Sequence, residues 1–238
     1  MTVPRSAHDR FARYLLGSAP LARDFFHHYL PEELRNALAL DSAELVEGSV
    51  VDEQLRQHHS DLLYRVEGLH GEPHWIYLLI EHKSHPDRTT PFQLLRYINR
   101  LWERLEGDPQ HGLPVPIAPL LLYHGARPWP HGETLQAAWP LPEAFKPVSP
   151  NFRYLLCDLS RFDDTQIRGD IVLQIGLRLL KHIHDPALGP QLPGLLGLLE
   201  QLGEKQTALE YLEVMLRYAV ATGHGVTPED VRQTIHRV

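Results

Sequence analysis

The sequence predicts an α/β fold, with a strand-containing core followed by a helical C-terminal region from about Thr165. Three observations predict it. Asp61 to Glu67 alternates apolar and polar residues; turn residues Gly68 to Pro73 follow, then the continuous apolar run Trp75 to Ile80, which together read as an antiparallel hairpin. Thr89 to Glu106 has helical periodicity and separates that hairpin from a second apolar run, Ile117 to Tyr123. Past Thr165 only helical periodicity remains. The expected division is a core over residues 1–164 and a helical region over 165–238, with a soft boundary that also allows one continuous domain.

In chain order, His8 to Leu16 places Phe11, Leu15 and Leu16 near one helical face, and Gly17-Ser18-Ala19-Pro20 breaks the pattern. A second helix is expected from Pro20 to Tyr29. A third opens at Pro31-Glu32-Glu33, since proline is preorganised at a first helical position and acids suit that end of the dipole. Ala43 to Val51 reads as a short strand. The run Trp75 to Ile80 is apolar on both faces, so it belongs in the centre of a sheet covered on each side. Thr89-Thr90-Pro91 starts the next helix, with a threonine cap and proline at the first helical position. That helix buries Leu94, Leu95, Ile98, Leu101, Trp102 and Leu105, and its periodicity gathers Gln93, Arg96, Tyr97, Arg100 and Arg104 on the opposite face. Pro119 demotes the strand at 117–123 toward an edge or a bulge. Gly125 to Pro150 is proline-rich and weakly periodic, a surface excursion before a strand from Phe152 to Leu159. Helices are then expected at Ile167 to His184, Leu192 to Leu202, Lys205 to Ala221 and after Thr227-Pro228.

Composition excludes several classes. The 238 residues hold one cysteine, Cys157, which has no partner for a disulfide or a thiolate metal site. No long apolar stretch and no signal-peptide core is present, so a soluble cytoplasmic protein without a membrane partner is expected. The formal net charge of −7 repels a polyanion, so any nucleic-acid contact must come from a local patch. There is no glycine-rich phosphate loop and no Gly-x-Ser-x-Gly elbow. The 16 histidines lack the His-Glu-x-x-His spacing of a helical zinc site.

What remains is an ordered set: Asp61, Glu81-His82-Lys83 and Gln93. Alternation along the second hairpin strand puts Glu81 and Lys83 on one face, and the hairpin brings Asp61 toward the same end. Two such carboxylates repel unless a cation lies between them, which suits Mg²⁺, with Mn²⁺ or Ca²⁺ as substitutes. Asp61 and Glu81 are the candidate metal ligands, with the backbone carbonyl of His82 as a third. Lys83 would handle a water and neutralise a phosphorane, while Gln93 fixes that water or a phosphate oxygen. Arg96, Tyr97, Arg100 and Arg104 would carry the phosphates of a nucleic acid. Each residue has a plainer role open to it. Asp61 could cap a strand, Glu81 and Lys83 could form a solvated pair, Gln93 could serve only the helix start, and the arginines could be a solvated face. Asp9 could approach the metal or simply complement a helix dipole.

The segments Ser60 to Tyr64, Tyr77 to Ser84, Phe92 to Tyr97 and Tyr123-His124-Gly125, with His8-Asp9 and Arg23-Asp24-Phe25, resemble the Rpn family of recombination-promoting nucleases, also described as YhgA-like transposases. The resemblance spans roughly residues 7 to 185. It implies a PD-(D/E)XK nuclease fold and a metal-dependent DNA endonuclease acting in recombination or in defence against mobile elements. Position by position it makes Asp61 the first core acid, Glu81 the second and Lys83 the lysine, where many members carry glutamine. Ser60 replaces the proline expected before the first acid. The alternative is a catalytically weak DNA-binding or protein-interaction module that keeps the fold. A homodimer through the apolar helices near Leu192 to Leu199 would supply the two sites a double-strand break requires.

Overall fold

The computed structural model describes residues 7–46, 62–69, 75–105, 115–222 and 225–237. Helices α1 (Ala7–Leu16), α2 (Ala19–Tyr29) and α3 (Glu32–Ala37) precede strand β1 (Leu38–Leu45). Strands β2 (Leu62–Gly68) and β3 (Trp75–Lys83) follow, then α4 (Thr90–Leu105) and β4 (Ile117–Tyr123). The excursion after β4 holds the single-turn α5 (Leu135–Ala138) and a 3₁₀ segment, Glu143–Val148, before β5 (Leu155–Asp158). Helices α6 (Ile171–His182), α7 (Leu188–Leu196), α8 (Lys205–Thr222) and α9 (Pro228–Arg237) complete the fold.

The five strands lie in the order β1-β2-β3-β4-β5. β1, β2 and β3 pair antiparallel, and β4 and β5 join in parallel, so the sheet is mixed. The parallel step from β3 to β4 needs a crossover, and α4 provides it. Strand alternation divides the core in two. Leu62, Tyr64, Val66, Leu78, Ile80, Leu120 and Leu122 face one cluster of buried apolar side chains that also takes residues from α1, α2, α6, α7 and α8. Leu63, Tyr77, Leu121 and Tyr123 face the other, closed by Leu94, Tyr97 and Leu101 of α4 and by Trp129 and Tyr154 of the excursion. Helices α6, α7 and α8 therefore pack on the first cluster together with the N-terminal helices, and α9 packs on α7.

Several sequence expectations are corrected here. The strand expected from Ala43 begins earlier and runs over Leu38–Leu45, and residues 47–51 of that expectation lie outside the described residues. β4 is interior to the sheet despite Pro119. The reason is the shortness of β5, whose pairing begins at Leu120 opposite Leu155. His124 donates its N–H to Lys83 on the β3 side at 3.0 Å. Alternation then turns the Pro119 nitrogen toward the β5 side, beyond the end of that strand, where no ladder bond is lost. β5 itself has four residues instead of the eight expected. The helix expected over 192–202 is α7 followed by a 3₁₀ turn, Gly197–Gln201. No helix among the described residues is long and apolar enough to cross a membrane.

Candidate active site

β3 carries Glu81 and Lys83 past the centre of the sheet on the face covered by α4, paired across to Leu121 and Tyr123 of β4. Glu81 is only 1 % exposed. Its Oε1 lies 3.0 Å from the Lys83 ammonium, and its Oε2 is buried without a hydrogen-bond partner among the described residues. Lys83 is also 3.7 Å from the Asp87 carboxylate. A buried carboxylate with one oxygen unsatisfied costs about 1–3 kcal/mol or more, because it has lost water and regained only one partner. Such an atom calls for a further electrophile, and a hard cation with oxygen ligands is one that fits.

Asp87 is a residue that sequence reasoning missed. It accepts hydrogen bonds from the Thr89 amide at 2.9 Å and hydroxyl at 2.7 Å, which fixes the turn between β3 and α4. Burial pushes its carboxyl up, but those bonds and the charge of Lys83 outweigh burial and hold it below the ordinary value. Lys83 thus sits between two carboxylates. The signal was local: Lys83 and Asp87 are four apart, with an Asp-x-Thr turn between them and the helix.

Gln93 lies in the first turn of α4, its amide bonded to the Thr89 carbonyl at 3.0 Å. Its side-chain Oε1 is buried and has no partner among the described residues, as is the Thr90 hydroxyl. Glu81 of β3 and Gln93 of α4 therefore each hold a buried oxygen without a hydrogen-bond partner among the described residues. The other α4 residues divide differently from expectation. Tyr97 is 4 % exposed and packs in the cluster with Tyr77 and Tyr123, so it leaves the polar stripe. Leu94, Tyr97 and Leu101 are the face toward the sheet, whereas Trp102 is partly exposed and donates its indole N–H to the Val115 carbonyl at 2.9 Å. Arg96 and Arg104 are exposed, and Arg100 is half-buried between the two environments.

Asp61 lies outside the described residues. Its chain neighbour Leu62 is the Cα partner of Ile80, the residue before Glu81.

His82 points to the opposite face of the sheet. There its ring stacks on His124 at 4.6 Å, and His124 in turn lies 5.8 Å from His184 and 5.3 Å from His8. Asp9 reaches this group, with Oδ1 3.5 Å from His82 Nδ1, and so stands across the sheet from Glu81. His8 Nδ1 is 2.8 Å from the Tyr218 hydroxyl, and His124 Nδ1 is 3.0 Å from the Leu180 carbonyl. Burial, then the neighbouring histidines His82 and His184, push His8 down to about 4. The same causes, burial first, hold His124 well below its ordinary value. Both rings are neutral at pH 7. Among the described residues no group of three or more histidine, cysteine or acidic side chains has the geometry to hold a metal ion. Positions 8, 82, 124 and 184 share no local spacing, so no sequence motif announced the cluster.

Fold and site together define an α/β protein with a buried acid–lysine pair at the end of a central strand. Residues 6–210 match the family model described as "Putative transposase, YhgA-like", and the chain belongs to that family, which includes the Rpn proteins. It is 33% identical over 219 residues to "Recombination-promoting nuclease RpnC" of Escherichia coli (strain K12), covering 91% of this chain and 71% of that one. It is 40% identical over 126 residues to "Recombination-promoting nuclease RpnD" of Escherichia coli O157:H7, covering 51% of this chain and 48% of the relative. A third relative, 29% identical over 181 residues, 76% of this chain and 60% of its own, is named "Inactive recombination-promoting nuclease-like protein RpnE", from Escherichia coli (strain K12). The chain thus spans about half to seven-tenths of the length of these relatives. No solved structure matches it.

Proposed function

We propose that this chain is a Mg²⁺-dependent DNA endonuclease built on the PD-(D/E)XK fold, acting in the cytoplasm in recombination or in defence against mobile elements. The observation that carries the reading is the buried Glu81 carboxylate, with one oxygen on Lys83 and the other without a hydrogen-bond partner among the described residues. The names of the relatives as recombination-promoting nucleases support it. Asp61 and Glu81 would hold the ion, with the His82 carbonyl as a further oxygen ligand. Bound there, a hard divalent cation supplies Lewis-acid polarisation of a phosphoryl oxygen and a water of lowered pKa.

The chain's own groups do the rest. Lys83, held by Glu81 and Asp87, places ammonium donors where negative charge grows on the phosphate oxygens, in a site from which bulk water is largely excluded. Gln93 fixes the attacking water or a phosphate oxygen through its carboxamide. Arg96, Arg100 and Arg104 give a charged lane along α4 for flanking phosphates. A homodimer would bring two sites to the two strands of a duplex.

Supercoiled plasmid incubated with the protein and Mg²⁺ is expected to become nicked and then linear. Glu81→Gln and Asp61→Asn are expected to abolish that conversion while circular dichroism stays as in the parent. Cutting by Glu81→Gln at the parent rate overturns the assignment. The relative named inactive favours a second reading, a DNA-binding or protein-interaction module that keeps this fold with little turnover. Titration calorimetry separates the two, since only an active site has reason to take up Mg²⁺ through Glu81.

A further inference from the structure

A second polar recess opens beside the site, between the turn before α4 and the excursion after β4. It has a volume of about 440 Å³, within the range of small-ligand sites. Arg88, Lys146 and His131 line it together with the half-buried indole of Trp139 and the side chain of Gln136, and no carboxylate among the described residues lines it. Chain neighbours of two site residues link the recess to the site. Arg88 follows Asp87, the carboxylate 3.7 Å from Lys83, and Phe92, the residue before Gln93, packs in a T-shaped contact 5.5 Å from Trp139.

The recess is held in shape by its own bonds. The Trp139 amide donates to the Gln136 carbonyl at 3.2 Å, and the Leu141 amide to the Trp139 carbonyl at 2.8 Å. Both side-chain amide bonds of Gln136 go to backbone carbonyls, those of Lys146 at 2.8 Å and Ser149 at 3.2 Å, so the segment bearing Lys146 is braced against α5. Lys146 also pairs with Glu143, whose side chain is 86% exposed, so an anion entering the recess competes with a solvated carboxylate. An aromatic surface beside two cations is the combination that takes a base on one side and its phosphate on the other.

We propose that this recess is a nucleotide subsite beside the acid–lysine pair: it receives one unpaired nucleotide of the DNA strand, its base stacked on Trp139 and its phosphate on Arg88 and Lys146. The proposal rests on the DNA reading of the adjoining site, and it implies a substrate in which a nucleotide has left the duplex stack.

The test is done in EDTA, where no cleavage is needed. A fluorescein-labelled 12-nucleotide oligothymidylate is expected to bind the full chain, and the unlabelled oligonucleotide to quench its tryptophan emission. Trp139→Ala is expected to weaken binding about tenfold, the usual contribution of one stacked base. Trp139→Phe, which keeps a ring and so guards against a merely misfolded alanine variant, is expected to bind within about twofold of the parent yet lose the quenching. Arg88→Gln with Lys146→Gln is expected to weaken binding and to flatten its salt dependence. In Mg²⁺ the alanine variant is expected to show a raised KM with kcat little changed. Unchanged affinity in Trp139→Ala, or equal Trp139-dependent quenching by a blunt duplex of the same length, overturns the subsite. Quenching and binding without any plasmid cleavage would instead count against the nuclease reading and leave the subsite standing.

Discussion

Replacing Lys83 by methionine isolates the acid–lysine pair. The change removes the ammonium 3.0 Å from Glu81 and leaves a carboxylate whose side chain is 2% exposed without its compensating charge. Breaking a buried pair from one side costs roughly 3–5 kcal/mol. Lys83 retains 16% exposure of its own side chain, which lets some water approach, so the low end of about 3 kcal/mol applies. For a chain of 238 residues that corresponds to a fall in Tm of about 6–9 °C. Thermal unfolding followed by tryptophan fluorescence in EDTA measures it. Millimolar Mg²⁺ is expected to restore most of the loss, because saturation at about a hundredfold over Kd contributes about 2.7 kcal/mol and the ion replaces the missing positive charge. The double variant Glu81→Gln, Lys83→Met is expected to lie above the single lysine variant in EDTA, since no unpaired charge remains buried. An unchanged Tm for Lys83→Met in EDTA, or no rise of the variant's Tm with Mg²⁺, refutes the reasoning.

Acid should destabilise the protein through its histidine cluster. His8 is ordinarily half-protonated at 6.5 but is pushed down to about 4 in the folded chain, so the unfolded chain takes up the proton first and stability falls as pH drops from about 6.5 toward about 4; denaturant midpoints at pH 7.5, 6 and 5 check this, and His8→Gln should flatten the profile. Gly125→Ala should cost about 1–3 kcal/mol, because the added methyl overlaps the ring and hydroxyl of buried Tyr123; a urea midpoint equal to the parent's would show that the ring has room to move. Asp158→Ala should cost about 3 kcal/mol or more, since the 2 % exposed carboxylate accepts from the Trp129 amide at 2.8 Å and from Ser160 at 3.1 and 2.7 Å, and its loss orphans a buried N–H. Asp158→Asn, which keeps an acceptor oxygen, should lose less in the same urea titration.

The elements legible in advance were those whose signal is local. β2, β3 and α4 follow from alternation, an apolar run and a helical period within one segment, and Glu81 and Lys83 fall on one face by alternation alone. Tyr97 was misplaced because a helical wheel ranks side chains by polarity, whereas the sheet selects whatever faces it. A tyrosine between Leu94 and Leu101 then becomes core together with Tyr77 and Tyr123. Pro119 misled for a related reason: its cost depends on whether a neighbouring strand reaches that point, and β5 does not.

What the chain determined by itself is the periodic skeleton and the pairing of an acid with a lysine two residues on, both consequences of backbone geometry acting within a few residues. Only the packed molecule decided the rest. Burial stripped Glu81 of water and left one oxygen without a hydrogen-bond partner among the described residues, gathered four distant histidines into one cluster, and set Trp139 and Arg88 on one recess. These are properties of separation in space, and solvation and charge respond to distance and burial whatever the spacing along the chain.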